Sequence, residues 1–309
     1  MIDFIVNETS GTGKSKGLWK EIEERLRNAG IEYRAHVTEY PGHTTVLARQ
    51  ITSEPGEKTV IVVGGDGTAN ETVNGIVDFD RTRFGYVPTG SGNDLGRGLS
   101  IRRNPADQAL HLSTSKEEIK MDLGEVTTEK GEKRLFNISA GLGLDASVCK
   151  HALTSPLKKM LNKIKMGSAT YAILTLKHLF YDKPADGMYT ITDAGGSKTT
   201  GNTKNLIFAA AMNFSCEGGG VPMAPEAVCT DGLLDLTSAK DMPRFLCFCY
   251  FPFLIAGKQE RIRKFTMLKF KTITFRLKSP MAVHADGEYL GDMCTVSFGA
   301  VPGKLRVIV

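Results

Sequence analysis

Two textures alternate along the first third of the chain: short β-branched runs, and stretches whose apolar residues recur every three or four positions. Ile2–Val6 reads as a strand and Lys16–Ala29 as a helix with Leu18, Ile22 and Leu26 on one face. Tyr33–Thr38 reads as a strand, Thr44–Thr52 as a helix, Thr59–Val63 as a strand and Thr68–Val77 as a helix. Phe84–Val87 is a further strand, followed by a helix over Asp94–Leu99. Strand–helix repetition at this spacing predicts a parallel sheet covered on both faces. In such sheets ligands sit outside the carboxyl ends of the strands. Glycine-rich segments follow Val6, Val63 and Val87, each at one of those ends.

From about Met121 strand-like runs dominate: Leu135–Ser139, Met188–Thr192, Leu206–Met212, Leu233–Leu236, Ile273–Leu277, Met281–His284 and Leu305–Val309. Helical stretches are expected over Pro156–Leu179 and Met242–Ile255. The chain therefore divides into a nucleotide-type α/β domain over residues 1–121 and a β-rich domain over 122–309. A sandwich is the expected form of the second, with a barrel as the alternative. The last residues are open to return to the first domain. No internal repeat or low-complexity tract is present.

Composition narrows the class. The 309 residues are 41% hydrophobic and 24% charged, which excludes a disordered, collagen-like or coiled-coil chain. A net charge of +5 is too mild to argue for nucleic acid. Six cysteines with no CxxC pair fit a reducing compartment rather than a disulfide framework. The N-terminus lacks the basic and apolar regions of a signal peptide. The longest apolar stretch, Phe245–Gly257, is 13 residues and contains Pro252, too short for a membrane span. These features predict a cytosolic protein that touches a membrane surface without crossing it. Lys158, Lys159, Lys163 and Lys165 interleave with Leu157, Met160, Leu161 and Ile164. Residues 150–183 hold seven Lys against one Asp. Lys258, Arg261, Arg263 and Lys264 follow the apolar Phe245–Gly257 stretch. Basic and apolar residues interleaved in this way can lie on anionic lipid; a core-packing helix with a solvated basic face is the alternative.

Gly64-Gly65-Asp66-Gly67-Thr68 follows a buried strand and opens a helix. Glycines there let backbone N–H groups approach a phosphate, and the helix N-terminus adds positive dipole. Asp66 repels phosphate, so its presence points to Mg²⁺ held directly or through water. The plainer alternative is an ordinary strand–turn–helix corner. Pro88-Thr89-Gly90-Ser91-Gly92-Asn93-Asp94 repeats the arrangement one strand later, with Asp94 open to an N-cap role. Together the two loops predict a nucleoside triphosphate and metal site. Asn7–Ser15 resembles a Walker A loop but has Glu8 where the first glycine belongs. A flexible phosphate-covering loop is expected instead, with Lys14 solvated. Gly141–Ala146 mimics a dinucleotide fingerprint past the α/β region and is set aside. His284, Asp286 and Glu288 would share one face of a strand that ran on, although Asp-Gly is itself a hairpin signal.

The runs Gly64–Ile76 (GGDGTANETVNGI) and Gly85–Leu99 (GYVPTGSGNDLGRGL) resemble the catalytic domain of the diacylglycerol kinase and sphingosine kinase superfamily. The soluble bacterial diacylglycerol kinase-like lipid kinases match best, with further landmarks at Phe136–Ala146, Ala224–Leu236 and Ala285–Gly291. The resemblance implies a doubly wound domain of NAD kinase/diacylglycerol kinase type joined to a β-sandwich, with ATP and lipid meeting in the cleft between them. It implies ATP contacts at Asn7, Glu8, Thr9, Ser10, Gly11, Thr38, Gly64, Gly65, Asp66, Gly67, Thr68, Asn70 and Ser91. Asp66 and Asp94 would organise catalytic Mg²⁺ through water, and Asp286 or Glu288 would be the general base. A structural Mg²⁺ is implied at Asp231 with the carbonyls of Val228 and Leu233. Many relatives have Pro at the position of Glu8, so a less rigid first loop is expected here.

The implied activity is ATP- and Mg²⁺-dependent phosphorylation of a lipid hydroxyl at a membrane surface, with diacylglycerol as the acceptor. Sphingoid base, ceramide, phosphatidylglycerol and polyprenol stay open as acceptors. The competing readings are an NAD kinase-like phosphotransferase on a soluble acceptor and a non-catalytic nucleotide-binding membrane sensor. A homodimer through an exposed edge strand is left open.

Overall fold

A computed structural model of the chain describes residues 1–154 and 182–309. The basic amphipathic helical stretch expected over Pro156–Leu179 lies outside the described residues. The chain divides into two units: Met1–Leu123 with Pro302–Val309, and Gly124–Val301.

In the first unit, strands β1 (Ile2–Val6), β2 (Tyr33–Val37), β3 (Lys58–Gly64) and β4 (Thr82–Pro88) pair in parallel in the order β4-β3-β1-β2. Helices α1 (Ser15–Asn28), α2 (His43–Ser53), α3 (Asp66–Gly75), α4 (Asp94–Gly98) and α5 (Pro105–Thr114) connect and cover them. Period-two alternation divides the strand residues between two cores. Phe4, Val6, Ile61 and Val63 pack with Trp19, Ile22 and Leu26 of α1 and Ala106, Ala109 and Leu112 of α5. Ile5 and Val60 face the other way, onto Leu47, Ala48 and Ile51 of α2. The buried stripe of α1 runs Trp19, Ile22, Leu26 rather than through Leu18, because the Trp19 ring meets Phe4 at 5.5 Å. The α5 helix, not expected from the pattern, has Asn104 at its N-cap accepting the Asp107 N–H at 2.9 Å, and Pro105 in its first turn.

The second unit is largely antiparallel. Its strands include β5 (Glu118–Thr128, which straddles the boundary), β6 (Lys133–Phe136), β7 (Ser139–Gly143), β8 (Ala185–Thr192), β9 (Lys198–Met212), β10 (Leu234–Lys240), β11 (Phe265–Phe270), β12 (Thr272–Ala285) and β13 (Glu288–Ile308). The order β11-β10-β9-β7-β12-β13 runs through the sheet. Helix α6 (Leu144–Thr154) follows β7, and α7 (Arg244–Ile255) packs Leu246, Cys247, Tyr250 and Leu254 against Phe208, Ala210 and Met212 of β9. Ala209 and Ala211, on the opposite face of β9, join the main core with Phe275 and Phe298. The tail of β13 continues into the first unit, where Arg306 and Val307 pair in parallel with Arg83 and Phe84 of β4.

Three strand expectations change. Leu135–Ser139 splits into β6 and β7, because the N–H groups of Asn137 and Ile138 turn to the Asp286 carboxylate. Ile273–Leu277 and Met281–His284 fuse into β12, with a register shift between Arg276 and Met281 around Pro280, which has no N–H to donate. Leu206–Met212 extends back to Lys198, because the polar Lys198–Asn202 segment pairs with β8 as an exposed hairpin that needs no apolar face.

Candidate functional site

Parallel register brings the three glycine-bearing loops, and Thr38 after β2, to one end of the first sheet. Val6 pairs with Val37 and Val63, and Gly64 with Pro88, so Asn7, Thr38, Gly65 and Thr89 leave neighbouring strand ends together. The loops then knit through backbone and short polar side chains. Thr89 N–H donates to the Gly64 carbonyl at 2.8 Å, and Asn7 N–H to the Val63 carbonyl at 2.9 Å. The Asn7 amide reaches Thr68 Oγ1 at 3.0 Å, and Thr38 N–H donates to the Val6 carbonyl at 2.9 Å. A Cβ on residue 90 would lie 2.6 Å from the Gly65 Cα, so the second and third loops cross as bare backbone.

The first loop, with Glu8 in place of proline, is tied by side-chain hydrogen bonds. Asn7 Oδ1 accepts both the N–H and the hydroxyl of Thr9, at 3.1 and 2.8 Å, making a local turn without proline's fixed φ. Ser10 to Gly13 then closes as a short 3₁₀ turn. Ser10 Oγ lies 2.7 Å from Thr89 Oγ1, which also meets Ser15 Oγ at 3.0 Å, and Gly11 sits on the Thr89 carbonyl. Glu8 points away to an ion pair with Lys16 at 3.7 Å, and Lys14 is exposed. The hub residue, Thr89, lies in the second glycine loop and is absent from the implied ATP contacts. A threonine among glycines signals nothing until the strand ends are aligned.

Asp66 stands at the centre of the cluster. Its Oδ2 accepts the Asp94 N–H at 3.0 Å, and its Oδ1 accepts the Leu95 N–H at 3.1 Å and the Tyr86 hydroxyl at 3.3 Å. Asp66, from the preceding loop, thus caps the N-terminus of α4, while the Asp94 carboxylate pairs with Arg97. Asn93 at the α4 N-cap position folds its side chain back onto Gly90 instead. Burial, with the charge of Asp66, pushes the Tyr86 hydroxyl well above the ordinary phenol range, so it remains a donor. Gly64 and Gly67 flank these groups in the loop, Thr68 is buried, and Ser91 is exposed. Asn70 of the expected ATP set is 2% exposed, and its Oδ1 takes the Asn74 amide at 3.2 Å within α3.

This donor set suits a hydrated divalent cation against phosphate. Asp66 and Asp94 both approach Gly92: their Oδ2 atoms would lie 3.1 and 3.8 Å from a Cβ built there. Asp66 is already engaged by two N–H groups and a phenol, and Asp94 by Arg97. Holding an ion through its waters asks less of them than direct ligation.

The second unit holds the DGE segment. Asp286 and Gly287 have φ of +45° and +80° and form the two-residue turn between β12 and β13, in which Ala285 pairs with Glu288. The strand therefore does not run on to place His284, Asp286 and Glu288 on one face by period two. Asp286 Oδ2 accepts the Asn137 N–H at 2.7 Å, and Oδ1 accepts those of Ile138 and Ser139 at 2.9 and 3.0 Å. Its own N–H donates to the Ser139 carbonyl at 2.8 Å. Glu288 is different: its side chain is 52% exposed and pairs with Arg134. His284 lies beneath the turn, 2% exposed. Burial works to lower its pKa, but the hydrogen bond and charge of Asp145, with the charges of Glu217 and Asp286, outweigh it and hold the ring above its ordinary value.

The structural Mg²⁺ implied at Val228, Asp231 and Leu233 does not fit the residues present. Lys269 of β11 brings its ammonium to 2.6 Å from Asp231 Oδ2, 3.3 Å from Asp235 Oδ2 and 3.5 Å from the Glu226 carbonyl. Leu233 presents its N–H to Asp231 Oδ1 at 3.1 Å. The Val228 carbonyl faces the Asp231 N–H at 3.5 Å. Burial works against the charge on Lys269, and the two aspartates more than offset it, raising its pKa. The side chain thus supplies the positive charge that a metal ion would bring. Chelation by EDTA is accordingly expected to leave the melting temperature unchanged. Lys269→Met should lower it by a few degrees, and Mg²⁺ should restore part of that loss in the variant alone, measured by differential scanning calorimetry.

Comparisons with known proteins agree with this architecture. Residues 2–126 match the diacylglycerol kinase catalytic domain, and residues 138–309 match the YegS C-terminal NAD kinase beta sandwich-like domain. A Bacillus subtilis protein named as a lipid kinase, YtlR, is 32% identical over 98% of both chains. A diacylglycerol kinase of the same organism is 26% identical over 93% of this chain and 89% of its own. Two solved structures from Bacillus anthracis named for diacylglycerol kinase superpose with TM-scores of 0.73 and 0.67, at 22% and 20% identity. Both cover 99% of this chain and 96% of theirs, which establishes the shared fold. The chain belongs to the diacylglycerol kinase-like lipid kinase family and is a kinase of that family.

Proposed function

We propose that the protein transfers the γ-phosphate of ATP to the hydroxyl of diacylglycerol, giving phosphatidic acid. The observation that carries the reading is the crossing of two bare glycine loops around Asp66 at the carboxyl end of the parallel sheet. The first unit acts as the nucleotide-binding domain and the second as the lipid-acceptor domain. Backbone N–H groups of Gly65–Thr68 and hydroxyls of Thr9, Ser10 and Ser91 bind phosphate oxygens, with Thr38 and the Asn7–Gly11 loop on the nucleotide. Asp66 and Asp94 hold hydrated Mg²⁺. When bound, that ion neutralises charge on the phosphates during transfer.

Of the two terminal carboxylates, Glu288 accepts the proton of the attacking hydroxyl. It is the exposed one, whereas Asp286 is engaged by three backbone N–H groups. Arg134 pairs with one of the Glu288 carboxylate oxygens and leaves the side chain half exposed. Access to lipid comes from the outer face of α7. There Phe253 is 41% and Ile255 55% exposed, beside the basic residues Lys258, Arg261, Arg263 and Lys264. An apolar helix face edged by cations suits peripheral binding to an anionic bilayer on the cytoplasmic side. Among the described residues no helix is long and apolar enough to cross a membrane.

The test is transfer of radiolabelled γ-phosphate from ATP, with Mg²⁺, into mixed micelles of diacylglycerol, monoacylglycerol, sphingosine, ceramide, phosphatidylglycerol or undecaprenol, with NAD as soluble control. Label in diacylglycerol is the expected result. Label in another lipid would change the acceptor and keep the chemistry. Label in NAD alone would overturn the lipid reading.

A further inference from the structure

The Gly141–Ala146 run, out of place as a dinucleotide fingerprint, forms the corner between β7 and α6. Asp145 opens α6, and its Oδ1 accepts the Ala146 N–H at 2.8 Å. Its Oδ2 lies 3.2 Å from Nε2 of the buried His284 on β12. A Cβ on residue 141 would come within 1.9 Å of that same Oδ2, so glycine at 141 is what leaves the carboxylate its seat. On the far side of the ring, His284 Nδ1 lies 3.3 Å from the Gly287 nitrogen. A backbone amide can only donate, so Nδ1 carries the lone pair. The proton then sits on Nε2 and is given to Asp145. A partly buried carboxylate thus fixes the tautomer and plane of a buried imidazole, which in turn holds the amide next to Glu288.

The turn is secured at both of its residues by different means. Asp286 is anchored by the N–H groups of Asn137, Ile138 and Ser139. Gly287, which has no side chain, is anchored through its N–H to His284 alone among the hydrogen bonds described above. Glu288 follows directly, so the direction in which its side chain leaves β13 depends on the Gly287 peptide plane.

We propose that Asp145 and His284 are a positioning pair for Glu288, setting the Asp286–Gly287 turn from beneath. The inference rests on the reading of Glu288 as the general base. Two substitutions separate the two bonds of the ring. His284→Asn keeps an acceptor near the position of Nδ1, and His284→Gln keeps a donor near the position of Nε2. With ATP and diacylglycerol micelles at pH 8, His284→Gln is expected to lower kcat about tenfold or more. The KM for ATP should stay unchanged. His284→Asn, which keeps the acceptor for the Gly287 N–H and gives up the bond to Asp145, should lose less, about two- to threefold. Hydrogen exchange in the peptide carrying residues 285–290 should quicken more in His284→Gln than in His284→Asn. Should His284→Gln fail to fold, Gly141→Ala displaces Asp145 and presses on His284 Nε2, 3.0 Å from the added Cβ, so it disturbs both members of the pair and carries the same expectation. Wild-type kcat and exchange in His284→Gln, or losses in both variants matching only the unfolded fraction from thermal melts, would overturn the pairing. Glu288→Gln run in parallel separates the two readings. If it retains turnover the base assignment fails, while the exchange measurement still decides the turn.

Discussion

Glu288→Gln is expected to lower kcat by a factor of about 10²–10⁴ while the dissociation constant for ATP stays within experimental error of wild type. The amide keeps the size of the side chain and a hydrogen-bond acceptor for Arg134, but cannot take a proton from an alcohol. Calorimetric titration with ATP measures the first half of the expectation, and transfer of label into diacylglycerol the second. The neighbouring aspartate should behave differently. Asp286 Oδ1 and Oδ2 together accept three backbone N–H groups, from Asn137, Ile138 and Ser139. In Asp286→Asn at least one of those donors would meet another donor, at a cost of about 1–3 kcal/mol of stability. Loss of activity there should come with a lower melting temperature, whereas Glu288→Gln should melt as the wild type does. Equal loss of stability in the two variants, or full turnover in Glu288→Gln, would refute this division of labour.

Asp66→Ala should remove turnover by at least about 10²–10³-fold, because one carboxylate serves two needs. It caps α4 through the Asp94 and Leu95 N–H groups, and it faces the place where hydrated Mg²⁺ would sit against phosphate. Loss of the cap alone costs about 0.5–2 kcal/mol. A fall in melting temperature of a few degrees with turnover below detection would therefore separate the two roles. Asp66→Asn can still cap with its amide oxygen but has lost its charge. Its NH₂ would face one of the N–H groups that the second carboxylate oxygen accepts, so it should recover part of the stability and little of the activity. If Asp66→Asn recovers both, Asp66 acts only as a cap and the metal is organised elsewhere.

Much of the first unit was legible from pattern alone. Strands with β-branched residues on two faces alternate with helices of period near 3.6, and that combination has few folded solutions. The glycine loops were legible for the same reason, since each falls where a strand ends and a helix begins. Less legible was the helix face of Trp19, because Leu18 and Trp19 both satisfy a helical spacing, and the Phe4 ring selects between them. The α5 helix carried its own start signal in Asn104-Pro105, but its apolar periodicity is weak.

The terminal carboxylates show where reading along the chain runs out. Asp286 and Glu288 look equivalent in sequence, two acids separated by one glycine. They part company only because three amides from a segment almost 150 residues earlier converge on one of them. Lys269 similarly stands 38 residues from Asp231 and announces nothing until β10 and β11 pair. Local chemistry in the sequence by itself determined the class of fold, the location of the phosphate-type loops and the residue types available for a kinase. Tertiary structure alone decided which carboxylate is a cap, which is an anchor and which is exposed, and which cation neutralises the Asp231 loop. Hydrogen-bond acceptance and ion pairing act over about 3 Å in space, whereas spacing along the chain reports only neighbours within a turn or a strand.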